Sequence, residues 1–171
     1  MSSKNSNSNK KDIIVLALLV GILPPAWAVA SPYLHISVGP IALIAAGIYG
    51  ANGNQFRDAK KITLGYLAGD LWGYISTIIM AHTPYNADIS LFATLFVLGI
   101  LVVLISNVIP GIFYMPSWLA GWAIAMLTFN LDTQTNPISL LIQIGIAMIV
   151  GVYYVGALLD KIHRIICRNA R

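Results

Sequence analysis

The chain has 171 residues, of which 58% are hydrophobic and only 9% are charged, and its formal net charge is +4. About 25% of the residues of an average soluble domain are charged, so this composition excludes a soluble globular protein and predicts one integral membrane domain. The positive charge does not indicate nucleic-acid binding, because the sequence has no basic stripe with interleaved aromatic residues and no known binding module.

Six apolar stretches follow one another along the chain, and each is a candidate membrane-spanning helix. We therefore predict an all-α fold, a bundle of six transmembrane helices, over residues 12–160. Residues 1–11 are rich in Ser and Asn and are expected to be disordered, and residues 161–171 are expected to form a basic tail. In chain order the predicted spans are Ile13–Ser31, Ser37–Asn52, Ile62–Ala81, Ile89–Ser106, Val108–Phe129 and Ile138–Leu159.

The loops between these spans predict one orientation. All ten Lys and Arg residues precede the first span, lie between the second and third, or follow the sixth. The loops on the opposite side carry Asp88 and Asp132 and no basic residue. Because basic loops stay on the cytoplasmic side, we expect both termini to be cytoplasmic.

The first span has a second interpretation. It resembles a secretory signal peptide, with a basic start, an apolar core and the small residues Ala28-Val29-Ala30 as a cleavage site. The apolar run Ile13–Ala30 is longer than the roughly 7–15 residues of a signal core, which favours an uncleaved helix. Pro24 and Pro25 are expected to interrupt this helix, because proline removes a backbone donor.

The third span carries the candidate site. Polar side chains recur at i, i+3, i+7, i+11 and i+14, which places them on one stripe of a helix: Thr63, Tyr66, Asp70, Tyr74 and Thr77. Beside this stripe, Gly65, Gly69 and Gly73 recur every four residues. Small residues in register allow the backbones of membrane helices to approach closely, so we predict a packing seam along these glycines.

Asp70 is the unusual residue of the stripe. A charged Asp at the centre of a bilayer costs about 2.5–3.5 kcal/mol on insertion scales. No Lys or Arg lies within a predicted span, so an ion pair with Asp70 is not expected there. The expected hydrogen-bond partners of Asp70 are Tyr66, Tyr74 and Gln143 of the sixth span. Two interpretations remain open. Asp70 lines a path for a solute or a proton, or it is a protonated carboxyl group that clamps two helices together.

The fifth span contains further breaks. Pro110, Gly111 and Pro116 are expected to interrupt it, and freed backbone groups inside a membrane occur where they line a cavity. Broken helices are a feature of transport sites, although ordinary proline kinks are an alternative explanation. Six spans divide into three plus three, and such halves have opposite orientations in the membrane, so the sequence also predicts two inverted three-helix halves.

A family resemblance covers nearly the whole chain, from about Ile13 to Leu159. The segment "GDLWG" at Gly69–Gly73, the turn "PGIF" that begins at Pro110, and the early segment "PAWAVASPYL" carry it. With these motifs the chain resembles the small bacterial inner-membrane family typified by YcdZ, which is catalogued as a domain of unknown function. The resemblance implies a multi-pass protein of the bacterial cytoplasmic membrane without an established activity. An apolar residue is expected in that family where Asp70 stands.

From these features we predict an oligomeric channel or transporter for a small neutral or cationic solute, with the lipid bilayer and further copies of the chain as its partners. The alternative is an accessory or substrate-capture subunit that works with a partner, for example an importer ATPase. It would dock through small-residue seams such as Ala26/Ala30 and Ser117/Gly121/Ala125. An enzyme is not expected, since no HExxH, GxSxG or paired intramembrane carboxylates are found. No cofactor is expected, and no metal site, because Cys167 is the single cysteine and the three histidines are far apart.

Overall fold

A computed structural model describes the backbone of residues 2–168 and the side chains of residues 12–167. Met1 and residues 169–171, the end of the predicted basic tail, lie outside the described residues. All the regular elements of the described chain are helices. They are α1 (Ser2–Ala30), a 3-10 turn (Ser31–Leu34), α2 (Ile41–Ala51), a second 3-10 turn (Phe56–Asp58), α3 (Ala59–His82), α4 (Ala87–Val108), α5 (Met115–Leu131), α6 (Pro137–Val150), a π-helical segment (Gly151–Leu158) and α7 (Leu159–Arg168).

Three of the described helices are long and apolar enough to cross a membrane. They cover Asp12–Leu34, Ala87–Val108 and Pro137–Cys167, the last being α6, the π segment and α7 in one continuous rod. The other three predicted spans are also helical, but α2 has 11 residues and α5 has 17. The third, α3, has 24 residues, and glycine and polar side chains dilute its apolar content.

Local sequence signals fix several helix ends. The side chain of Asn86 accepts a hydrogen bond from the backbone N–H of Asp88 and caps α4. Asn136 caps α6 by accepting from the N–H groups of Ile138 and Ser139, with Pro137 in the first turn, where a missing N–H costs nothing. These caps satisfy backbone donors that have no partner within their own helix.

The core of the bundle is the pair α3 and α5, which make the most extensive helix contact in the molecule. The predicted glycine seam lies against α5. A Cβ on Gly69 would lie 2.6 Å from Trp122 N and 2.9 Å from Gly121 Cα, and would also meet Trp118 O. Gly65 and Gly73 face α5 in the same way. The facing surface is the small-residue seam Ser117/Gly121/Ala125, so this seam packs within the chain and is not a free docking surface.

A second close pair is formed by α2 and the rod of α6 with the π segment. A Cβ on Gly151 would lie 2.9 Å from Ala42 Cα and would also touch Ala45. Helix α6 additionally contacts α3, and α4 lies against α3 and α5. Helix α1 is peripheral: most of its large apolar side chains are exposed, and its main contact is with α7.

The structure corrects the ends of the second and fifth spans. Helix α2 begins at Ile41 rather than Ser37, because the chain turns at Pro40. Helix α4 continues to Val108, and α5 begins only at Met115. Pro110 and Gly111 therefore lie in the connection and do not interrupt a span, since the residue before a proline disfavours the helical conformation and ends α4.

Two other predicted interruptions are also absent. Pro116 lies in the first turn of α5, where proline is compatible with a helix. Pro24 and Pro25 lie inside α1, which is assigned as one continuous helix. The helix begins at Ser2. The disorder expected for residues 1–11 stays a prediction.

Candidate functional site

The candidate site is the carboxyl group of Asp70, halfway along α3. Asp70 is only 3% exposed, and it borders a groove of about 270 Å³ between α3 and α6. One carboxyl oxygen, Oδ2, lies 3.5 Å from the position that a Cβ on Gly145 would occupy, so the glycine leaves room for the carboxyl group. The remaining residues that line the groove are aliphatic: Leu67, Leu71, Leu141, Ile142, Ile146 and Ile149.

The second carboxyl oxygen of Asp70, Oδ1, is buried and has no hydrogen-bond partner among the described residues. Burying a polar group without a hydrogen bond costs roughly 2–7 kcal/mol, so native proteins rarely leave such a group unpaired. A carboxyl group in this position can bind a proton. It can equally accept hydrogen bonds from an ammonium, hydroxyl or amide group of a molecule in the groove.

The other members of the predicted stripe are bonded elsewhere. The hydroxyls of Thr63 and Thr77 donate to carbonyls one turn earlier in α3, at 2.9 and 2.7 Å. The hydroxyl of Tyr66 crosses to α2 and donates to Ile44 O at 3.2 Å. The ring of Tyr74 packs against an aromatic ring of α5, with ring centres 5.6 Å apart. Thr63, Tyr66 and Asp70 of the stripe are buried, whereas Tyr74 and Thr77 are half-buried. Asp70 is the member of the stripe with a buried oxygen that has no partner among the described residues.

Gln143 is not the partner of Asp70. Its Oε1 accepts hydrogen bonds from the backbone N–H and the hydroxyl of Ser37, at 2.9 and 3.0 Å, and its Nε2 donates to Ser139. Gln143 precedes Gly145 by two residues, which is about 200° around a helix, so its side chain points away from the groove. Gln143 instead ties the connection before α2 to α6.

A polar link that the sequence analysis missed joins α3 to α5. Trp122 Nε1 donates to the hydroxyl of Ser76 at 2.8 Å, and that hydroxyl donates to Trp72 O at 2.8 Å. Ser76 is fully buried. It lies outside the predicted stripe, so helix geometry alone did not mark it. The link stabilises the end of the pair beyond Asp70.

The buried face of α4 carries a second set of missed residues. Ser90, Thr94 and Ser106 are buried, and the hydroxyls of Ser90 and Ser106 have no hydrogen-bond partner among the described residues. The three residues are separated by multiples of four, so this spacing was a usable signal in the sequence. Ser90, Thr94 and Ser106 therefore share the buried face of α4 with Leu98 and Val102.

An irregular helical segment does occur in the described chain, but it is the π segment and not one of the predicted proline breaks. It covers eight residues in the middle of the longest rod. Single-turn π elements inside α-helices are rare and are frequently found at functional sites. Gly151 and Gly156, five residues apart, were the only hint of it in the sequence.

Among the described residues, one group of three potential metal ligands is present, at the contact of α1 with α7. The ligand atoms of Asp12, His163 and Cys167 lie within 4.8 Å of one another, and Nε2 of His163 is 3.1 Å from Asp12 O. This His-x-x-x-Cys spacing is visible in the sequence, but it was not among the predicted ligand patterns. Basic residues flank all three positions in the sequence, which opposes the binding of a cation, and we do not assign a metal here.

The comparisons with known proteins give a family but no activity. No curated protein and no solved structure matches the chain. A family model described as "Protein of unknown function (DUF1097)" matches residues 17–163, which is most of the chain. The expected resemblance to a family of unknown function is confirmed, whereas the YcdZ-like name and the bacterial inner membrane stay predictions. On this match, the chain belongs to the DUF1097 family of proteins of unknown function.

Proposed function

We propose that this protein is a homo-oligomeric channel or transporter for a small neutral or cationic solute, with six membrane spans and both termini in the cytoplasm of a bacterium. The observation that carries the proposal is the carboxyl group of Asp70, which is buried at the centre of a helix with one oxygen unpaired. Ionisable residues inside membrane domains mark ion and substrate pathways more often than structural sites.

The helix pairing supports two inverted three-helix halves. If α1, α2 and α3 correspond to α4, α5 and α6, the pair α2 with α6 corresponds to the pair α5 with α3. Both pairs are close contacts built on small residues, Ala42/Ala45 with Gly151 in one and Gly121 with Gly69 in the other. The contact of α3 with α6, where Asp70 lies, would then fall on the pseudo-twofold axis, which is the usual place of a transport site in such folds.

The groove beside Asp70 supports an oligomer. It opens on the outer surface of the bundle, where Leu71, Ile142 and Ile146 are exposed. A carboxyl group that opened directly to lipid would be costly, so a second copy covering this groove would enclose Asp70 in a shared path. The lining holds no basic residue, which disfavours an anion and favours a proton, a cation or a neutral hydrogen-bond donor.

The test is flux in proteoliposomes, measured with a pH-sensitive dye for protons, with methylammonium as the cation and with glycerol as the neutral solute. Asp70→Asn keeps the size of the side chain and removes the charge. We expect it to lower flux about ten- to a hundredfold, since hydrogen bonds to a charged group contribute about 1.5–3 kcal/mol. Asp88→Asn, the same change at an exposed position in the first turn of α4, should leave flux unchanged.

Unchanged flux in Asp70→Asn together with a lower melting temperature would contradict the proposal and support the helix clamp. The subunit count of the same preparation tests the oligomer. A second, stoichiometric polypeptide in that preparation would instead favour the accessory-subunit alternative. That alternative has one structural support: Ala26 and Ala30 lie on exposed positions of α1, and this helix has little contact with the bundle.

A further inference from the structure

A second pocket shares no lining residue with the Asp70 groove and lies at the end of the bundle where α2 ends and α7 begins. Its volume is about 810 Å³. One wall is the connection between α2 and α3, the other is the π segment with the first turns of α7. The positively charged residues on its walls are Arg57, Lys161 and Arg164, and the one carboxylate is Asp160.

These charges are only partly neutralised within the chain. Arg164 Nε pairs with Asp160 Oδ2 at 2.8 Å, and Arg164 Nη2 also donates to Asn54 O at 3.3 Å. Neither Arg57 nor Lys161 forms an ion pair with any described residue. With three cations against one carboxylate, the pocket has an excess of two positive charges, and an anion would be attracted to it.

Tyr49 supplies a second, independent observation. It lines the pocket from α2, it is fully buried, and its hydroxyl has no hydrogen-bond partner among the described residues. Gly156 of the π segment fixes the ring, because a Cβ there would lie 2.8 Å from Tyr49 Cδ1. A buried phenol hydroxyl held in this way is a ready donor to an oxyanion.

The pocket also has an apolar side. Phe56 and Tyr153 face each other edge to face with ring centres 6.4 Å apart, and Leu158 lines the same region. Asn54 also lines the pocket and, like the preceding Gly53, has a positive φ angle. The pocket thus combines charged donors with aromatic surface.

We propose that this pocket binds a phosphate group, held by Arg57, Lys161 and the hydroxyl of Tyr49. Arginine and lysine are the usual phosphate partners, and the tyrosine hydroxyl adds a neutral donor from within the protein. The phosphate has two sources with the same chemistry, the headgroup of an anionic phospholipid or a free phosphate in solution. The site is separate from the Asp70 groove and does not depend on the transport proposal.

The test uses the full-length protein in nanodiscs of phosphatidylcholine, with and without phosphatidylglycerol, and inorganic phosphate as the soluble probe. Binding is read from the melting temperature and from the lipid retained in native mass spectra. We expect Arg57→Gln and Lys161→Gln each to weaken binding about tenfold, the equivalent of one charge-assisted hydrogen bond. Lys60→Gln is the matched control, because Lys60 is exposed nearby and does not line the pocket.

Tyr49→Phe separates a binding role from a structural one. Removing a buried, unpaired hydroxyl should keep or raise the melting temperature of the protein without ligand, because no hydrogen bond is lost. The same change should weaken phosphate binding severalfold. If Tyr49 had only a structural role, Tyr49→Phe would lower the melting temperature of the protein without ligand and would leave phosphate binding unchanged.

The arms of the experiment distinguish the sources of the phosphate. Binding of phosphatidylglycerol without binding of inorganic phosphate identifies a lipid site, and binding of inorganic phosphate in phosphatidylcholine alone identifies a site for a soluble phosphate. The proposal is overturned if neither probe binds, or if Lys60→Gln weakens binding as much as Arg57→Gln. Loss of flux on Asp70→Asn with intact phosphate binding would keep the two proposals distinguishable.

Discussion

Two aspartates show how differently this chain treats a carboxylate. Asp70 lies inside the bundle with an unpaired oxygen, whereas Asp132 lies in the connection between α5 and α6 and is fully bonded. Asp132 accepts hydrogen bonds from the Thr135 hydroxyl at 2.7 Å and from the N–H groups of Thr135 and Gln134 at 2.9 and 3.1 Å. The Thr135 hydroxyl, and then its N–H, hold the pKa of Asp132 below the ordinary value of 3.8.

This cap predicts a pH dependence at the level of one residue. Because the folded-state pKa of Asp132 is depressed, its contribution to stability is present above the ordinary pKa of 3.8 and is lost as the pH falls through the lower folded-state pKa. Thr135→Val removes the largest cause of the shift and should flatten the pH dependence of the melting temperature in this acid range. Thr133→Val, an exposed threonine of the same turn, is the control. An equal acid dependence in Thr135→Val and the unchanged protein would contradict the assignment.

Residue by residue, the sequence identified the polar stripe of α3 but not its bonding. Helical spacing alone placed Thr63, Tyr66 and Asp70 on one buried face, because that geometry is local to α3. The partner of each side chain depends on which helix packs there. Tyr66 donates a hydrogen bond to a carbonyl of α2, and Gln143 accepts one from Ser37. Neither residue therefore forms the hydrogen bond that was expected with Asp70.

At the scale of elements, the fold rests on helices brought together by small residues. Between lipid-embedded helices the hydrophobic effect contributes little, so close packing must supply the attraction. The seam of α3 meets the seam of α5 along their length, and Gly151 repeats this arrangement between the π segment and α2. This pairing explains why α3 is central although glycine and polar residues dilute its apolar content.

Replacement of glycine by alanine should affect stability differently at Gly69, which lies in the seam, and at Gly99, which does not. Gly69→Ala would place a methyl group 2.6 Å from a backbone nitrogen of α5, which cannot move aside, and should destabilise the protein by about 1–3 kcal/mol. Gly99→Ala in α4 meets nothing within 4 Å and should be neutral or stabilising by up to about 1 kcal/mol, because alanine favours the helix. Thermal unfolding in one detergent compares them, and equal melting temperatures would show that the seam is not tightly packed.

Element ends were predicted less well than elements. All six apolar stretches are helical, since an apolar run in a low-polarity environment leaves the backbone few alternatives. The fifth span was predicted to begin at Val108, but α5 begins at Met115. The prediction placed Pro110 inside the fifth helix, whereas this proline terminates α4. The π segment could not be predicted, since it depends on how Gly151 and Gly156 fit against α2.

For the whole molecule, charge placement predicts the orientation. In the sequence, the ten basic residues precede the first proposed span, separate the second from the third, or follow the sixth, whereas Asp88 and Asp132 flank the opposite ends of the spans. The phosphate pocket is at the basic end, where the headgroups of anionic lipids would be found if that end is cytoplasmic. The orientation of the bundle in the membrane therefore matters for both the transport proposal and the phosphate-site proposal.

Cysteine labelling tests this orientation. In a Cys167→Ser background, Gln55→Cys lies in the basic connection between α2 and α3, and Gln134→Cys lies in the connection between α5 and α6; both positions are exposed. A membrane-impermeant maleimide added to intact cells should label Gln134→Cys and not Gln55→Cys. Permeabilised cells, in which both should react, are the control, and labelling of both positions in intact cells would contradict the six-span topology.

The sequence by itself determined the class of the protein, its helical content, the position of its apolar stretches and the faces of α3, because composition and helical periodicity are properties of the chain alone. Only the tertiary structure decided that two seams of small residues pair, that Asp70 keeps an unpaired oxygen beside α6, and that Arg57, Lys161 and Tyr49 converge on one pocket. Those features join residues far apart in the sequence, and their distances depend on which helices pack together.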